Sequence, residues 1–277
     1  MKDLLAIVTP VSENTLERSA IYALSLARHM RARMTVMIAT IEQFPAALSD
    51  PDNMQAYSGL SQPPSPDERR ARTADLVRTE ARRAGVDYEI LSETDYSPSL
   101  GQMVTAAAQV RDLTMLGVHG PLAYPRQGLV EAAMFGSGRP LLLIPQTAQP
   151  FSSGVIVVGW DATRAAVRAV HDALPLLIEA EKVVIASVSG DKELPVLASG
   201  PAICRYLEQR HINATFNALT RQHENIGEDL LSHAQSLRAN LLVMGGFGHA
   251  REREFLFGSA TRDIFQSHLE IPVLLSH

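Results

Sequence analysis

A chain of 277 residues with 25 Lys+Arg against 30 Asp+Glu, net charge −5, lacks the cationic surplus that neutralises a nucleic-acid backbone, and no basic stripe runs through it. Its single cysteine, Cys204, excludes an internal disulfide, a cysteine zinc cage and a CxxC redox pair, and fits a reducing compartment. The length favours two domains of ordinary size over one. No apolar run approaches the ~20 residues of a membrane span, and the run Leu4 to Val8 stops at Thr9-Pro10, too short for a signal-peptide core. A soluble cytoplasmic protein with neither membrane nor nucleic-acid partners is expected.

In chain order, Leu4-Leu5-Ala6-Ile7-Val8 predicts a strand, and Leu16, Ala20, Ala23, Leu24 and Ala27 recur at helical spacing after it. Residues 41–86 contain Phe44-Pro45, Asp50-Pro51 and Ser61-Gln62-Pro63-Pro64-Ser65-Pro66. That density of Pro, Ser and Asp breaks helix and strand, so a mobile loop is expected before a charged helix that begins near Asp67. The plainer alternative is a surface excursion without function, which costs little closure entropy. Asp112 to Gly117 reads as a later strand, and Gly136-Ser137-Gly138 as a helix-terminating turn before the last strand, Pro140 to Pro145. The stretch from Gln146 to Gly154 has no periodicity and reads as a linker.

The remainder repeats what came before. Val155-Ile156-Val157-Val158 precedes a helical stripe of Ala166, Val170, Ala173, Leu174 and Leu177, so that Arg18 matches Arg168 and Ala23-Leu24 matches Ala173-Leu174 at an offset of 150. Asp112 to Gly117 matches Asn240 to Gly245, and Pro140-Leu141-Leu142-Leu143 matches Pro272-Val273-Leu274-Leu275. A repeat this long means a duplicated domain, 1–146 and 154–277, rather than a solenoid. In the second copy strands are expected near 154–159, 182–188, 214–219, 240–245 and 271–276, and helices near 162–180, 196–211, 226–238 and 259–268. Short apolar strands alternating with amphipathic helices predict two tandem doubly wound α/β domains, each with a five-stranded parallel sheet covered on both faces. Such sheets bind ligands at the carboxyl ends of strands where the strand order reverses, and Asp161 and Gly245 both stand at such ends.

Gly245 opens the pattern Gly-x2-Gly-x9-Gly-Ser, completed by Gly248, Gly258 and Ser259. Glycines let backbone N–H groups approach a ligand, and a helix that begins at a hydroxyl residue offers unpaired N–H groups and the positive end of its dipole, a place suited to phosphate. This segment resembles the nucleotide-binding signature of the universal stress protein family, and the resemblance extends over the whole chain as a tandem pair. It implies a pseudo-twofold pair of adenine nucleotide alpha hydrolase-like domains, with the second copy binding ATP, or ADP or AMP, together with Mg2+. Carried over by position, it places Asp161 on the ribose and the backbone of Val188 on adenine, with Met244, Gly245, Gly248, Gly258, Ser259 and Ala260 around ribose and phosphates. His249 enters as a loop donor. With lysine only at positions 2, 182 and 192, counter-charge for a triphosphate falls to a metal or to Arg251, Arg253 and Arg262. Plainer alternatives stand beside these: Asp161 as a helix N-cap, Arg251 and Arg253 as a solvated loop, Arg262 as a first-turn surface residue. Trp160, where many relatives carry a smaller residue, would narrow the base pocket or stack beside it.

No GxSxG, GxxxxGK[ST] or HExxH motif occurs, and the nine histidines show no metal-ligand spacing. The resemblance thus implies a stress-responsive nucleotide-binding regulator, with an unidentified protein partner and pairing of last strands, internally between the copies or in a homodimer. Alternatives are a slow ATP hydrolase or adenylyl-transfer enzyme, and a nucleotide-free interaction module. The first copy is expected to be empty of nucleotide. It has Val130-Glu131 in place of Gly-Ser, Val11 in place of Asp161, and a segment from Gly120 to Pro140 four residues shorter than Gly248 to Pro272.

Overall fold

The computed structural model describes residues 1–10, 15–39, 64–91, 99–119, 126–189, 196–223, 225–246, 264 and 268–277. In the first half, β1 (Asp3–Val8), α1 (Arg18–Met30), β2 (Arg33–Ile38), α2 (Pro66–Ala84), β3 (Tyr88–Leu91), α3 (Leu100–Gln109), β4 (Leu113–Val118), α4 (Arg126–Glu131) and β5 (Leu141–Pro145) follow in order. The second half contains β6 (Val155–Gly159), α5 (Arg164–Glu179), β7 (Lys182–Ser189), α6 (Gly200–Glu208), β8 (Ala214–Thr220), α7 (Ile226–Ser236), β9 (Leu241–Gly245) and β10 (Val273–Ser276).

Local chemistry sets the helix boundaries. Ser65 and Glu68 form a reciprocal capping box at the start of α2, with Pro66 in the first turn, and Gly85 ends that helix at φ +67°. Ser99 and Gln102 cap α3 the same way. The charged helix expected near Asp67 is α2. Gly136-Ser137-Gly138 is a turn, as expected: α4 runs into a π-type turn at Ala132–Gly136 and Gly138 takes φ +64°. Of the loop expected over 41–66, residues 41–63 lie outside the described residues, as does the helix expected near 259–268 apart from helical Ile264 and non-helical His268.

The strands form one ten-stranded sheet in the order β3-β2-β1-β4-β5-β10-β9-β6-β7-β8, parallel throughout except where β5 meets β10. Two five-stranded doubly wound sheets are therefore fused through their last strands. The register there is symmetric: Leu143 pairs with Val273, Leu142 with Leu274 and Leu141 with Leu275, all buried. Alternate strand residues feed two cores. One contains α1, α2, α5 and α6 with Val36, Val158 and Leu274; the other contains α3, α4 and α7 with Leu116, Val157 and Leu275. Burial on both faces explains why the central strands read as nearly unbroken apolar runs, unlike the edge strands β3 and β8. Across the seam, Arg168 donates to the Gly138 carbonyl at 3.0 Å and the Phe135 ring meets His277 edge-on at 5.4 Å.

The stretch joining the halves is itself anchored. Phe151 N donates to Ser25 Oγ at 2.7 Å, and its ring packs edge-on against Tyr22 and His29 of α1. Asn240 ties this stretch to the second sheet by accepting from Val155 N and donating to Ser152 Oγ.

Candidate functional site

Each half reverses its strand order once, between β1 and β4 and between β6 and β9. The second crevice is built on the turn Gly159-Trp160-Asp161-Ala162-Thr163. Asp161 Oδ1 accepts from Thr163 N at 3.0 Å and from Thr163 Oγ1 at 2.7 Å, and Thr163 Oγ1 in turn accepts from Ala166 N. Thr163 is thus the N-cap of α5, and Asp161 braces it through an Asx turn instead of capping the helix itself. Between them Ala162 is held at φ +57°, a left-handed conformation that costs a residue with a Cβ about 1–2 kcal/mol.

Trp160 does not line a base pocket. Its ring is buried in the core shared by α5 and α6, and its indole N–H donates to the Ala198 carbonyl at 2.9 Å. Its backbone continues the sheet, with Trp160 N on Ala186 O and Ser187 Oγ on Trp160 O. Trp160 therefore anchors the strand end, which an aromatic ring at an alternating position does wherever its polar edge finds a partner. Val188 and Met244 belong to the opposite core, on the other face of the sheet.

Gly245 ends β9 against the first turn of α5. A Cβ there would stand 2.5 Å from Ala166 N and 2.6 Å from Ala165 C. Close helix-strand packing alone accounts for this glycine. Beyond it, Gly246 N donates to Ser276 O at 2.7 Å. Of the residues expected around the nucleotide, Asp161, Val188, Met244 and Gly245 are placed at or near the carboxyl ends of β6, β7 and β9. Gly248, His249, Arg251, Gly258, Ser259 and Ala260, with Arg253 and Arg262, lie outside the described residues.

The first crevice revises the sequence correspondence. Leu4 pairs with Leu113 and Ile156 with Leu241, and Gly117 and Gly245 follow those partners by the same interval. Leu4 is therefore equivalent to Ile156, and Thr9, rather than Val11, takes the place of Asp161. Val11 itself lies outside the described residues. The helices shift the other way, because the N-caps of α1 and α5, Glu17 and Thr163, correspond at an offset of 146. That differs from the offset of 150 by about one helical turn, a displacement that leaves the apolar stripe intact.

Around Gly117 lies a cluster that sequence reading missed. The Glu17 side chain, 2% exposed, sits at the start of α1. Thr9 Oγ1 donates to its Oε1 and Ser19 Oγ to its Oε2 at 2.8 Å. His119 Nε2 approaches Oε1 at 3.4 Å and the Arg126 guanidinium at 3.6 Å. Arg126 also donates to Thr9 Oγ1 at 2.9 Å and to the Gly117 carbonyl at 3.1 Å. Burial alone would raise the Glu17 pKa, but these hydrogen bonds and the Arg126 charge hold it below the ordinary carboxylate value. Glu131, which stands in place of the motif's serine, ends α4 and accepts from Gln127. No local signal marked Glu17, whose partners Thr9 and His119 lie 8 and 102 residues away.

A second buried carboxylate, Asp229, accepts from Gln222 N, His223 N and His223 Nδ1, the last at 2.6 Å, and staples the end of β8 to α7. Among the described residues no group of three or more His, Cys, Asp or Glu side chains could hold a metal ion, and no helix is long and apolar enough to cross a membrane.

No protein-family model and no curated protein matches the sequence. Solved structures do match the architecture. A universal stress protein from Archaeoglobus fulgidus DSM 4304 is 13% identical with a TM-score of 0.65, covering 98% of this chain and 95% of its own. A putative universal stress protein from Pseudomonas aeruginosa UCBPP-PA14 is 17% identical with a TM-score of 0.63, covering 100% of this chain and 93% of its own. A functionally unknown protein from Pseudomonas aeruginosa PAO1 gives 15% and 0.62, covering 98% and 92%. The chain therefore has the fold of universal stress proteins, here as two doubly wound α/β halves joined through their last strands.

Proposed function

We propose that the second half binds an adenine nucleotide, ATP or its products ADP or AMP, with Mg2+ bridging phosphates, and that the protein is a cytoplasmic stress-response regulator whose occupancy is read by a protein partner. The observation that carries this reading is the arrangement at the β6–β9 crevice. Asp161 follows β6 in the turn and Gly245 ends the neighbouring β9 at the reversal of strand order, and the Gly-x2-Gly-x9-Gly-Ser sequence begins at that same Gly245. In this reading the Asp161 carboxylate, one oxygen of which fixes the turn, accepts from the ribose hydroxyls with the other. The Val188 backbone meets adenine, and the segment carrying Gly248, His249, Arg251, Gly258, Ser259 and Ala260 encloses the phosphates.

Because packing alone explains Gly245, the test must read binding. Mass spectrometry of nucleotide released from the purified protein, with a thermal-shift series in ATP, ADP and AMP, serves that purpose. Released adenine nucleotide, or a midpoint that rises with Mg-ATP and not in Gly258→Trp, supports the reading. No released nucleotide and no shift at millimolar ATP, ADP or AMP leaves the nucleotide-free interaction module. Hydrolysis, where it occurs, is slow, since the chain offers no phosphate-binding lysine near the motif and no identified general base.

A further inference from the structure

We propose that the crevice between β1 and β4 is an oxyanion receptor filled in cis by the Glu17 carboxylate, so that the first half closes its own ligand site with one of its side chains. The donors converge from separate elements. Thr9 follows β1, Ser19 lies in the first turn of α1, His119 follows β4, and Arg126 starts α4. Both carboxylate oxygens are engaged, Oε2 by Ser19 and Oε1 by Thr9, His119 and Arg126. Gly117 makes the room: a Cβ there would stand 2.8 Å from Glu17 Oε2, and at the equivalent Gly245 the nearest atoms belong to Ala165 and Ala166 at the start of α5.

The place matters as much as the partners. The carboxylate occupies the strand-order reversal of the first sheet, where doubly wound folds take ligands. Hydroxyl donors, an imidazole and a guanidinium together suit a carboxylate or phosphate oxygen pair. While Glu17 is in place, a second anion would meet a buried negative charge and donors already engaged by its carboxylate. This assignment does not rest on nucleotide binding by the second half.

The experiment is small-anion rescue. Glu17→Ala removes the internal ligand and leaves its donors facing a cavity. Thermal midpoints are measured for wild type, Glu17→Ala, Glu17→Gln and Glu17→Ala/Arg126→Ala in sodium formate and in sodium chloride of equal ionic strength, and in inorganic phosphate. The expected result is a saturable rise with formate or phosphate in Glu17→Ala, absent in wild type and in Glu17→Gln, whose side chain still fills the site, and lost in the double variant. General salt stabilisation acts on all four proteins and cancels in the comparison. Equal responses in wild type and Glu17→Ala, or rescue undiminished without Arg126, would overturn the assignment. Should Glu17→Ala not fold in chloride, refolding in formate is followed by circular dichroism: recovery supports the receptor, and no recovery in either salt overturns it.

Discussion

Leu142 of β5 and Leu274 of β10 face each other across the antiparallel ladder, and each is the other's equivalent in its own half. The pseudo-twofold axis passes through this pair. Both side chains are fully buried, so truncating either to Ala is expected to cost ~2–5 kcal/mol. As direct neighbours they should couple, with the double variant departing from additivity by ~0.5–3 kcal/mol. Calorimetry of the wild type should show one transition, since the two half-sheets share a core strand pair; two well-separated transitions would contradict this.

At the second crevice, Asp161→Asn and Asp161→Ala separate two roles. Asparagine keeps an Oδ1 acceptor for Thr163 and is expected to leave stability within ~0.5 kcal/mol of wild type. Alanine removes the brace on the α5 N-cap and should cost about 1 kcal/mol. Both should weaken Mg-ATP binding in a titration calorimeter if the carboxylate meets ribose. Unchanged affinity in both variants would confine Asp161 to holding the turn.

The two equivalent glycines should fail differently. Gly245→Ala drives a Cβ against the α5 backbone, which cannot yield locally, and is expected to destabilise by ~1–3 kcal/mol. Gly117→Ala meets the side chains of Ser19 and Glu17 and should also disturb the carboxylate cluster, so part of its cost should disappear in a Glu17→Ala background. Denaturant titrations of the single and double variants measure both effects.

Glu17 links stability to acidity. Its folded pKa lies below its unfolded one, so the unfolded chain binds more protons between the two values and stability rises with pH across that window. The contribution is fully present above the ordinary carboxylate range, ~4.3, and is lost as pH falls through the folded pKa. Asp229 and Asp112 are shifted the same way and keep part of the slope. Glu17→Gln, which still faces His119 and Arg126, is expected to flatten the pH 3–6 stability curve relative to wild type; an unchanged slope would remove Glu17 from the acid response.

One adenine nucleotide per chain is expected, bound by the second half. At a free concentration of 100 times Kd it should stabilise the native state by about 2.7 kcal/mol. Titration calorimetry reads the stoichiometry, and two equivalent sites would contradict the filled first crevice.

The strands were legible because central parallel strands are buried on both faces and must be apolar almost throughout: Val155-Ile156-Val157-Val158 and Leu241-Leu242-Val243-Met244 could hardly be anything else. The α2 and α3 caps were equally local, held by residues three apart. Correspondence between the halves was less secure, because a shift of two residues along a strand returns the same face, so sequence periodicity cannot separate Thr9 from Val11 as the partner of Asp161. The sequence by itself determined the duplicated α/β pattern and the glycine motif that begins at Gly245. Only the tertiary structure decided that Trp160 faces the core, that Gly245 is needed against α5, and that Glu17 meets His119 and Arg126, because each depends on groups brought together by strand order across long separations in the chain.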